Sequence, residues 1–304
     1  MEIEEKIAGL IRRTSSRLSA DVLEALAAAI RREANGSSAR MILETLVQNA
    51  ALARRKGTPM CQDTGTLTFF VDERLRGLVT PAAVKKAVAV ATEKGWLRRN
   101  TIDSVSGRSI NSNTCDGAPV IHYVPAKSRR AVPAVTLLMK GGGSENMSRQ
   151  YSLPDATLRA GRDLEGVRRC VLDAVHKAQG YGCAPGILGV CVGGDRAGGF
   201  EEAKHQLLRR LDDTNRDPAL ARLEKRLVKE ANALGIGPMG LGGRTTVFGV
   251  KIGSRPRVPA SFFVTVAYLC WAARRQSMRL KVFGSNSSQI SIDTIVHKSQ
   301  MKMV

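Results

Sequence analysis

The feature that most constrains the fold is a regular alternation of strand-like and helix-like segments after about residue 58. Runs rich in β-branched and aromatic residues predict strands at 66–72, 119–124, 134–139, 187–192, 245–252 and 262–268. Helical patterns bounded by Pro and Gly predict helices at 81–94, 161–179, 198–211 and 218–234. This alternation predicts a mixed α/β protein whose strands and helices are arranged around a mixed sheet.

The first part of the chain, to about residue 58, is predicted to be helical. Residues 20–32 are rich in Ala and Leu, and Gly36 ends this first helix. A second helix runs to Arg55 and ends at Gly57. No linker composition and no internal repeat separates this part from the rest. We therefore expect a single domain over residues 1–304.

The composition is that of an ordinary globular protein, with 43% hydrophobic residues. No uninterrupted apolar run is long enough to cross a bilayer, which predicts a protein that does not span a membrane. The first residues are acidic and lack the basic and apolar segments of an export signal. We therefore expect a cytoplasmic protein.

The chain carries a formal net charge of +20, which indicates an anionic partner or substrate. A nucleic acid is one such partner. Aromatic residues make up only 4% of the chain, however, too few for base-stacking platforms, and there is no continuous basic tail. Anionic small substrates or an acidic partner chain would use the charge equally well, and the composition favours these over a nucleic acid.

A tight polar turn near the start of the chain combines a thiol with a carboxylate. Residues 59–65 read Pro-Met-Cys-Gln-Asp-Thr-Gly, in which Gly65 permits a positive φ and Asp63 bonds readily to nearby backbone N–H groups. The predicted strand at 66–72 follows at once, so Cys61 and Asp63 would be fixed beside a strand and could form a site. The alternative is that Cys61 is a half-buried small hydrophobe and Asp63 only closes the turn.

A glycine-rich segment follows the predicted strand at 134–139. Residues 140–146 read Lys-Gly-Gly-Gly-Ser-Glu-Asn, and consecutive glycines let backbone N–H groups approach a ligand, as in anion-binding nests. The same glycines would equally make a flexible hinge. The segment is not a Walker loop, because the Gly-Lys-Ser/Thr ending of that motif is missing.

Six cysteines are scattered along the chain: Cys61, Cys115, Cys170, Cys183, Cys191 and Cys270. No two of them form a Cys-x-x-Cys pair, so the sequence contains no local zinc or redox motif. A metal site would have to be assembled from distant segments of the chain, and spacing alone cannot show one.

Five stretches together resemble one family. They are residues 59–65, 140–146, 183–194, 235–243 and 259–275, and they include Cys-Ala-Pro from position 183 and Cys-Trp-Ala-Ala-Arg-Arg from position 270. From about residue 5 to 280, the chain resembles the alpha subunit of the iron–sulfur hydro-lyases, the family of class I fumarase and L(+)-tartrate dehydratase. Each motif alone is weak, but five in the same order make a specific match.

The resemblance implies a [4Fe-4S] cluster held by three cysteines, with the fourth iron open for substrate. Matched by motif, the ligands are Cys61, Cys183 and Cys270. Three thiolates in place of four leave one iron free to act as a Lewis acid on the hydroxyl and a carboxylate oxygen of the substrate. Cys115 and Cys191 match no ligand motif and are expected to be structural.

The resemblance also implies which residues contact the substrate. Gln62 and Asp63 are expected beside the open iron, at the hydroxyl end of the substrate. Arg98 is the candidate clamp for a carboxylate, and Gly142 or Gly143 would offer backbone N–H groups. The alternative for Arg98 is an ordinary exposed arginine at the end of a helix.

Two departures from the family pattern affect the expected activity. Relatives usually carry His before Pro where this chain has Val258, and a valine can neither donate a hydrogen bond nor carry charge. Single-chain members also carry a C-terminal beta domain, which is absent before Val304. We therefore expect a separate beta subunit, inactivity of this chain alone, and a hetero-oligomer with a dimeric alpha core.

The resemblance thus implies a hydro-lyase subunit acting on a 2-hydroxy dicarboxylate, with fumarate and L-malate as the expected pair. The nearest alternative is the alpha subunit of L(+)-tartrate dehydratase. A different class of protein, a non-catalytic scaffold or regulatory paralogue, would be consistent with Val258. The presence of all three ligand cysteines favours the enzyme, because a decaying site would be expected to lose its metal ligands as well.

Overall fold

The structure, a computed structural model, describes residues 3–126, 128, 130–280 and the backbone of 281 and 293–295. The chain forms two compact units, each assembled from segments that are distant in sequence. The first unit comprises residues 1–20, 50–140 and 274–304, and the second comprises residues 21–49 and 141–273. The assignment of the whole chain to one catalytic domain stays a prediction, because this division does not test it.

Helices and strands alternate along the chain after a helical start. In chain order they are α1 (Ile3–Ser16), α2 (Ala20–Arg32), α3 (Ser38–Lys56), β1 (Thr66–Asp72), α4 (Pro81–Glu93), β2 (Val120–Val124), β3 (Ala134–Lys140), α5 (Gly142–Asn146), β4 (Arg149–Ser152), α6 (Leu164–Ala178), β5 (Gly186–Gly193), α7 (Arg196–Gln206), α8 (Pro218–Ala233), β6 (Val247–Arg255), β7 (Phe263–Leu269), β8 (Arg274–Lys281) and β9 (Asp293–Ile295). The mixed α/β class predicted from the sequence is confirmed.

The first unit is built on a five-stranded mixed sheet of order β2-β1-β3-β8-β9. Strands β1 and β2 run parallel, with Thr68 opposite Val120, and the other neighbours are antiparallel. Leu67 and Phe69 of β1 face a core that also includes residues of α1 and α4. Phe70, which points to the opposite face, stacks on His122 of β2 with the ring centroids 5.3 Å apart.

The second unit is built on a four-stranded sheet of order β4-β7-β5-β6. Strands β5 and β6 are parallel, whereas β7 is antiparallel to both β4 and β5. Leu188 and Val190 of β5 face a core shared with α6 and α8. On the other face, a side chain at Gly189 would collide with the carbonyl oxygen of Ala203 in α7, so glycine is what allows that helix to pack so closely.

Most helix boundaries lie where the sequence predicted them, because the residues predicted to cap the helices form the expected hydrogen bonds. Thr80 accepts a hydrogen bond from the N–H of Ala83 at 3.2 Å, directly before Pro81 starts α4. Asp217 caps α8 in the same way, by accepting from the N–H groups of Ala219 and Leu220. Among the described residues, no helix is both long and apolar enough to cross a membrane.

Three strands, β4, β8 and β9, were not predicted from the sequence, and the strands divide over two sheets. Strand β4 reads Arg-Gln-Tyr-Ser and β8 reads Arg-Arg-Gln-Ser-Met-Arg-Leu-Lys, so neither has the apolar run of a buried strand. Strand β8 nevertheless pairs with β3 along six residues, and the side chains of Met278 and Leu280 in β8 are buried. Pairing through the backbone, and not hydropathy, creates these two strands.

Candidate active site

The turn that carries Cys61 belongs to the first unit and is fixed at both ends. The N–H of Met60 donates to the carbonyl oxygen of Ser15 in α1 at 2.9 Å. At the other end, Asp63 Oδ1 accepts from the N–H of Gly65 at 2.8 Å, and Gly65 has a φ of 71°. Asp63 therefore closes the turn, as the simpler interpretation predicted. The same turn presents Gln62 as an exposed side chain and leaves Cys61 half-buried.

Arg98 is held next to this turn through its backbone. The hydroxyl of Thr64 donates to the carbonyl oxygen of Arg98 at 2.8 Å, and the N–H of Arg98 lies 2.9 Å from the same hydroxyl oxygen. The side chain of Arg98 is exposed, and it forms no ion pair with a carboxylate in the part of the chain that the structure describes. The structure thus brings together Asp63 and the predicted carboxylate clamp.

Two asparagines that the sequence analysis did not single out join the turn to Arg98. The side-chain amide of Asn100 donates to Asp63 Oδ1 at 3.2 Å. Asn113, only 3% exposed, donates to the carbonyl oxygen of Arg98 at 2.9 Å and accepts from the N–H of Asn100 at 3.2 Å. The polar composition of residues 100–116 was the only signal for this network, and composition does not indicate which partners are bonded.

Arg274 is a third residue that the sequence analysis did not assign to the site. Its side chain is 1% exposed, although it carries a full positive charge. Nη1 donates to the backbone carbonyl oxygen of Asp63 at 2.6 Å, while Nε has no hydrogen-bond partner among the described atoms. A buried guanidinium with an unsatisfied N–H is costly unless a negative group lies near it.

Cys183 and Cys270 both belong to the second unit, where they are brought together. The N–H of Trp271, directly after Cys270, donates to the carbonyl oxygen of Cys183 at 3.1 Å. Cys183 is exposed and has a φ of 55°, an unusual value for a residue with a side chain. Cys270 is 9% exposed. Two of the three predicted cluster ligands therefore lie on adjacent backbone segments.

The ring of Tyr268 packs beside these two cysteines. It fills the space that a side chain at Gly182 or Gly186 would occupy. Burial raises the pKa of Tyr268 above its ordinary range, and the negative charges of ionised Cys270 and Cys183 raise it further. The backbone on either side of Cys183 therefore packs directly against this buried ring.

The glycines proposed for substrate binding also lie in the second unit. Gly142 and Gly143 are exposed and form the first turn of α5, a helix of five residues. The backbone N–H of Gly143 has no acceptor within the helix, as is general for a first turn. The three glycines therefore form the start of this helix.

Val258 lies in an exposed loop of the second unit and is itself 64% exposed. Arg257 Nη1 donates to the carbonyl oxygens of Val258, Pro259 and Ser261, at 3.2, 3.1 and 3.0 Å. Arg162 adds a hydrogen bond to the carbonyl oxygen of Ala260 at 2.8 Å. The loop is therefore well supported, and the side chain of Val258 makes no polar contact with it.

Two of the three remaining cysteines lie deep in the protein. Cys170 and Cys191 are fully buried, and burial raises the pKa of each thiol to about 12. Cys115 is half-buried, and its thiol lies 3.4 Å from the carbonyl oxygen of Asp116. Within each unit, as far as it is described, no three His, Cys, Asp or Glu side chains form a group that could hold a metal ion.

Residues 4–279 match the family described as fumarate hydratase (Fumerase). The chain is 44% identical over 284 residues to a putative fumarate hydratase class I of Geobacillus stearothermophilus, an alignment that covers 92% of this chain and 55% of that relative. The chain therefore spans about half the length of this relative.

The chain is also similar to proteins named as subunits. It is 31% identical over 289 residues to a putative L(+)-tartrate dehydratase subunit alpha of Methanocaldococcus jannaschii, covering 93% of this chain and 99% of that protein. An L(+)-tartrate dehydratase subunit alpha of Escherichia coli is 29% identical over 284 residues, which cover 92% of this chain and 91% of the relative. The family match extends over nearly the whole described part of the chain, and with these relatives it shows that the chain belongs to the fumarate hydratase (Fumerase) family.

Proposed function

We propose that this chain is the iron–sulfur subunit of a hydro-lyase that interconverts fumarate and L-malate. The observation that carries the proposal is the arrangement in the first unit. There one turn carries the thiol of Cys61 and the carboxylate of Asp63. The hydroxyl of Thr64 in that turn bonds to the backbone of Arg98, an exposed arginine without an ion-pair partner among the described residues. Such a set suits a dianionic substrate that must gain or lose water.

The proposed cofactor is a [4Fe-4S] cluster whose ligands are Cys61 of the first unit and Cys183 and Cys270 of the second. Thiolates are the ligands that iron–sulfur clusters take, and three of them leave one iron open. The pairing of Trp271 with Cys183 supports this set, because it holds two of the three thiols on adjacent segments.

The charge around the cysteine turn also fits an anionic group. Arg274 is buried and forms no ion pair with a carboxylate in the described part of the chain. Its contact with the carbonyl oxygen of Asp63 places it at the turn that carries Cys61. A negative group bound by Cys61 would offset the cost of this buried charge and give Nε a hydrogen-bond acceptor.

When bound, the cluster supplies a Lewis acid for the hydroxyl group that leaves or enters. The residues of this chain bind and orient the substrate. Arg98 would bind one carboxylate, since a guanidinium can donate two parallel hydrogen bonds to it, and the N–H of Gly143 would bind the other. Gln62 and Asp63 would contact the hydroxyl end, with Asp63 oriented by its bonds to Gly65 and Asn100.

The proposal includes a beta subunit as partner of a dimeric alpha core in a cytoplasmic enzyme. Two relatives that match this chain over more than nine-tenths of their length are named as alpha subunits, whereas the alignment covers only 55% of a fumarate hydratase relative. The net charge of +20 would serve both to attract dianionic substrates and to contact an acidic face of the partner. A partner with a basic contact face would contradict the proposed role of the charge in subunit contact.

The second candidate function is that of an L(+)-tartrate dehydratase alpha subunit. It is favoured by length, because this chain covers 99% and 91% of two proteins with that name. Fumarate hydration is placed first because the relative named for it is 44% identical, against 31% and 29% for the other two.

The test is an activity assay of the anaerobically reconstituted chain together with the small subunit that co-purifies with it from its native source. Hydration of fumarate and dehydration of L(+)-tartrate are measured side by side, with Cys61→Ser as the inactive variant and Cys115→Ser as the control. Fumarate hydration that is lost in the first variant and kept in the second supports the proposal. Activity on tartrate alone supports the second candidate, and a loaded cluster without either activity supports the non-catalytic scaffold.

A further inference from the structure

A pocket lined by arginines lies in the first unit, between the C-terminal half of α1 and the end of α3. Its volume is about 360 Å³, and it is lined by Gly9, Arg12, Arg13, Ser16, Arg17, Arg54, Arg55 and Gly57. Small-molecule sites commonly have volumes from about 300 to 1,000 Å³. This arginine pocket therefore has the size of a site for a small ligand. The residues proposed for fumarate binding do not contribute to it.

The charge of the arginine pocket is not balanced by the protein. Five of its eight lining residues are arginines and none is acidic. None of the five forms an ion pair with a carboxylate in the described part of the chain. Arg168 and Arg209, in the second unit, differ from them, because each binds a glutamate at 2.8 Å. The pocket thus concentrates positive charge that no carboxylate of the described residues neutralises.

This concentration of charge has a cost in the absence of a ligand. Arg13 is half-buried, and burial together with the charge of Arg17 one turn away lowers its pKa. Like charges four residues apart on a helix repel each other. An anion between the guanidinium groups would remove both penalties, since each group would then donate hydrogen bonds to a negative oxygen.

The chain also positions one of the guanidinium groups. Gly57 has a φ of 66°, and a side chain there would lie 2.6 Å from Nη2 of Arg12. Glycine at the end of α3 therefore leaves room for Arg12 to lie across the chain at this point. The guanidinium of Arg12 is also 5.2 Å from the ring centroid of Trp96, within the range of a cation–π contact. These two contacts restrict the orientation of Arg12 before any ligand binds.

We infer that the arginine pocket binds a small polyanion that carries several phosphate or carboxylate groups. Planar guanidinium groups bind both kinds of group through paired hydrogen bonds, so the shared chemistry is multiple anionic oxygens on a compact molecule. The inference does not rest on the proposed reaction, because it uses a different set of residues.

The test is calorimetric titration of the full chain with pyrophosphate and, separately, with citrate, at constant ionic strength. Arg54→Gln/Arg55→Gln removes two exposed charges of the pocket, and Lys85→Gln/Lys86→Gln removes two exposed charges from α4, which lies in the same unit but outside the pocket. We expect the first double variant to bind at least about tenfold more weakly and the second to change by less than about twofold.

The two polyanions distinguish the ligand classes. Tight binding of pyrophosphate alone indicates a ligand with phosphate groups, and tight binding of citrate alone indicates a ligand with carboxylate groups. Equal weakening in both double variants would show a general charge effect and overturn the inference. Failure of both polyanions to bind would overturn it as well.

A further variant, Arg13→Gln, tests the buried charge by thermal unfolding. Without ligand it should raise the Tm, because an unpaired half-buried charge is removed, and it should abolish the increase in Tm that the polyanion gives to the wild type. A polyanion-induced increase that persists in this variant would contradict the proposed site.

Discussion

Arg274 and Asp63, which are 211 residues apart in the chain, are joined by a hydrogen bond of 2.6 Å from Nη1 to the backbone carbonyl oxygen. The bond ties the first residue of β8 to the turn that carries Cys61 and leaves the guanidinium buried. The position of the turn therefore depends on a strand from the far end of the chain, as well as on its own sequence.

Replacement of Arg274 should loosen this turn. In Arg274→Met the carbonyl oxygen of Asp63 loses the hydrogen bond from Nη1, and a hydrogen bond from a charged donor contributes about 1.5–3 kcal/mol. We expect hydrogen exchange at the N–H groups of Met60 and Gly65 to accelerate by about tenfold, which corresponds to about 1.4 kcal/mol. Arg274→Lys, which keeps a donor and a charge, should restore part of the protection.

The matched control is Arg279→Met, an exposed position on the same strand. It should leave exchange at Met60 and Gly65 unchanged. Equal acceleration in both variants would mean that β8 stabilises the turn only through general stability.

Replacement of Arg98 should weaken substrate binding without affecting folding. Its exposed side chain makes no ion pair in the described structure, so Arg98→Met removes only the hydrogen bonds that the guanidinium would donate to a ligand. A hydrogen bond to a charged group contributes about 1.5–3 kcal/mol, so kcat/KM should fall about 10- to 150-fold while the free energy of unfolding stays the same. Arg99→Met, which loses only a 3.2 Å bond to Asn111, is the control. Similar kcat/KM values in the two variants would exclude Arg98 as a clamp.

Gly189 should not tolerate even a methyl group. A side chain at this position would meet the carbonyl oxygen of Ala203, so Gly189→Ala must push α7 away from the sheet. Overpacking of this kind costs about 1–3 kcal/mol in the free energy of unfolding. Urea denaturation should show this loss, whereas Gly77→Ala, with no atom within 4 Å of the added carbon, should change stability by less than about 0.5 kcal/mol. Equal stability of the two variants would contradict the close packing of α7.

Stability should decrease at alkaline pH partly because of two buried thiols. The folded-state pKa of Cys170 and of Cys191 is raised to about 12, against about 8.5 for an unfolded thiol. The two neutral thiols therefore contribute to the free energy of unfolding in full below about pH 8.5. This contribution is lost as the pH rises toward 12, because the unfolded state releases protons that the folded state retains.

The variant Cys170→Ala should therefore make the fall in stability between about pH 9 and 11 shallower, by up to about one proton released on unfolding. The control is Val171→Ala, which removes a neighbouring buried side chain that does not titrate. It should lower the free energy of unfolding at every pH without changing its slope. An unchanged slope in Cys170→Ala would contradict the raised pKa.

The elements that the sequence predicts are those with local signals. Thr80 and Pro81 define the start of α4 by themselves, and a run of β-branched and aromatic residues defines β1. Strand β8 has no such signal. Arg274 at its start is buried, and it bonds to the carbonyl oxygen of Asp63, which is distant in the sequence. Hydropathy assigns an arginine to the surface, and only the fold reveals its partner.

In the candidate site, too, the residues that the sequence predicts are those with a local signal. The motif at 59–65 identifies Cys61, Gln62 and Asp63, since the whole turn is continuous in sequence. The roles of Asn100 and Asn113 depend on hydrogen bonds to Asp63 and to the backbone at Arg98, which composition cannot indicate. The two compact units were likewise not predicted, because each combines distant segments and no linker marks their boundaries.

The most direct test of the proposed function measures iron and acid-labile sulfide per chain after anaerobic reconstitution. The wild type should hold about four of each, as one [4Fe-4S] cluster requires. Cys61→Ser, Cys183→Ser and Cys270→Ser should each lose most of both, whereas Cys115→Ser and Cys191→Ala should keep them. Little iron in the wild type, or an equal loss in the control variants, would contradict a cluster held by these three cysteines.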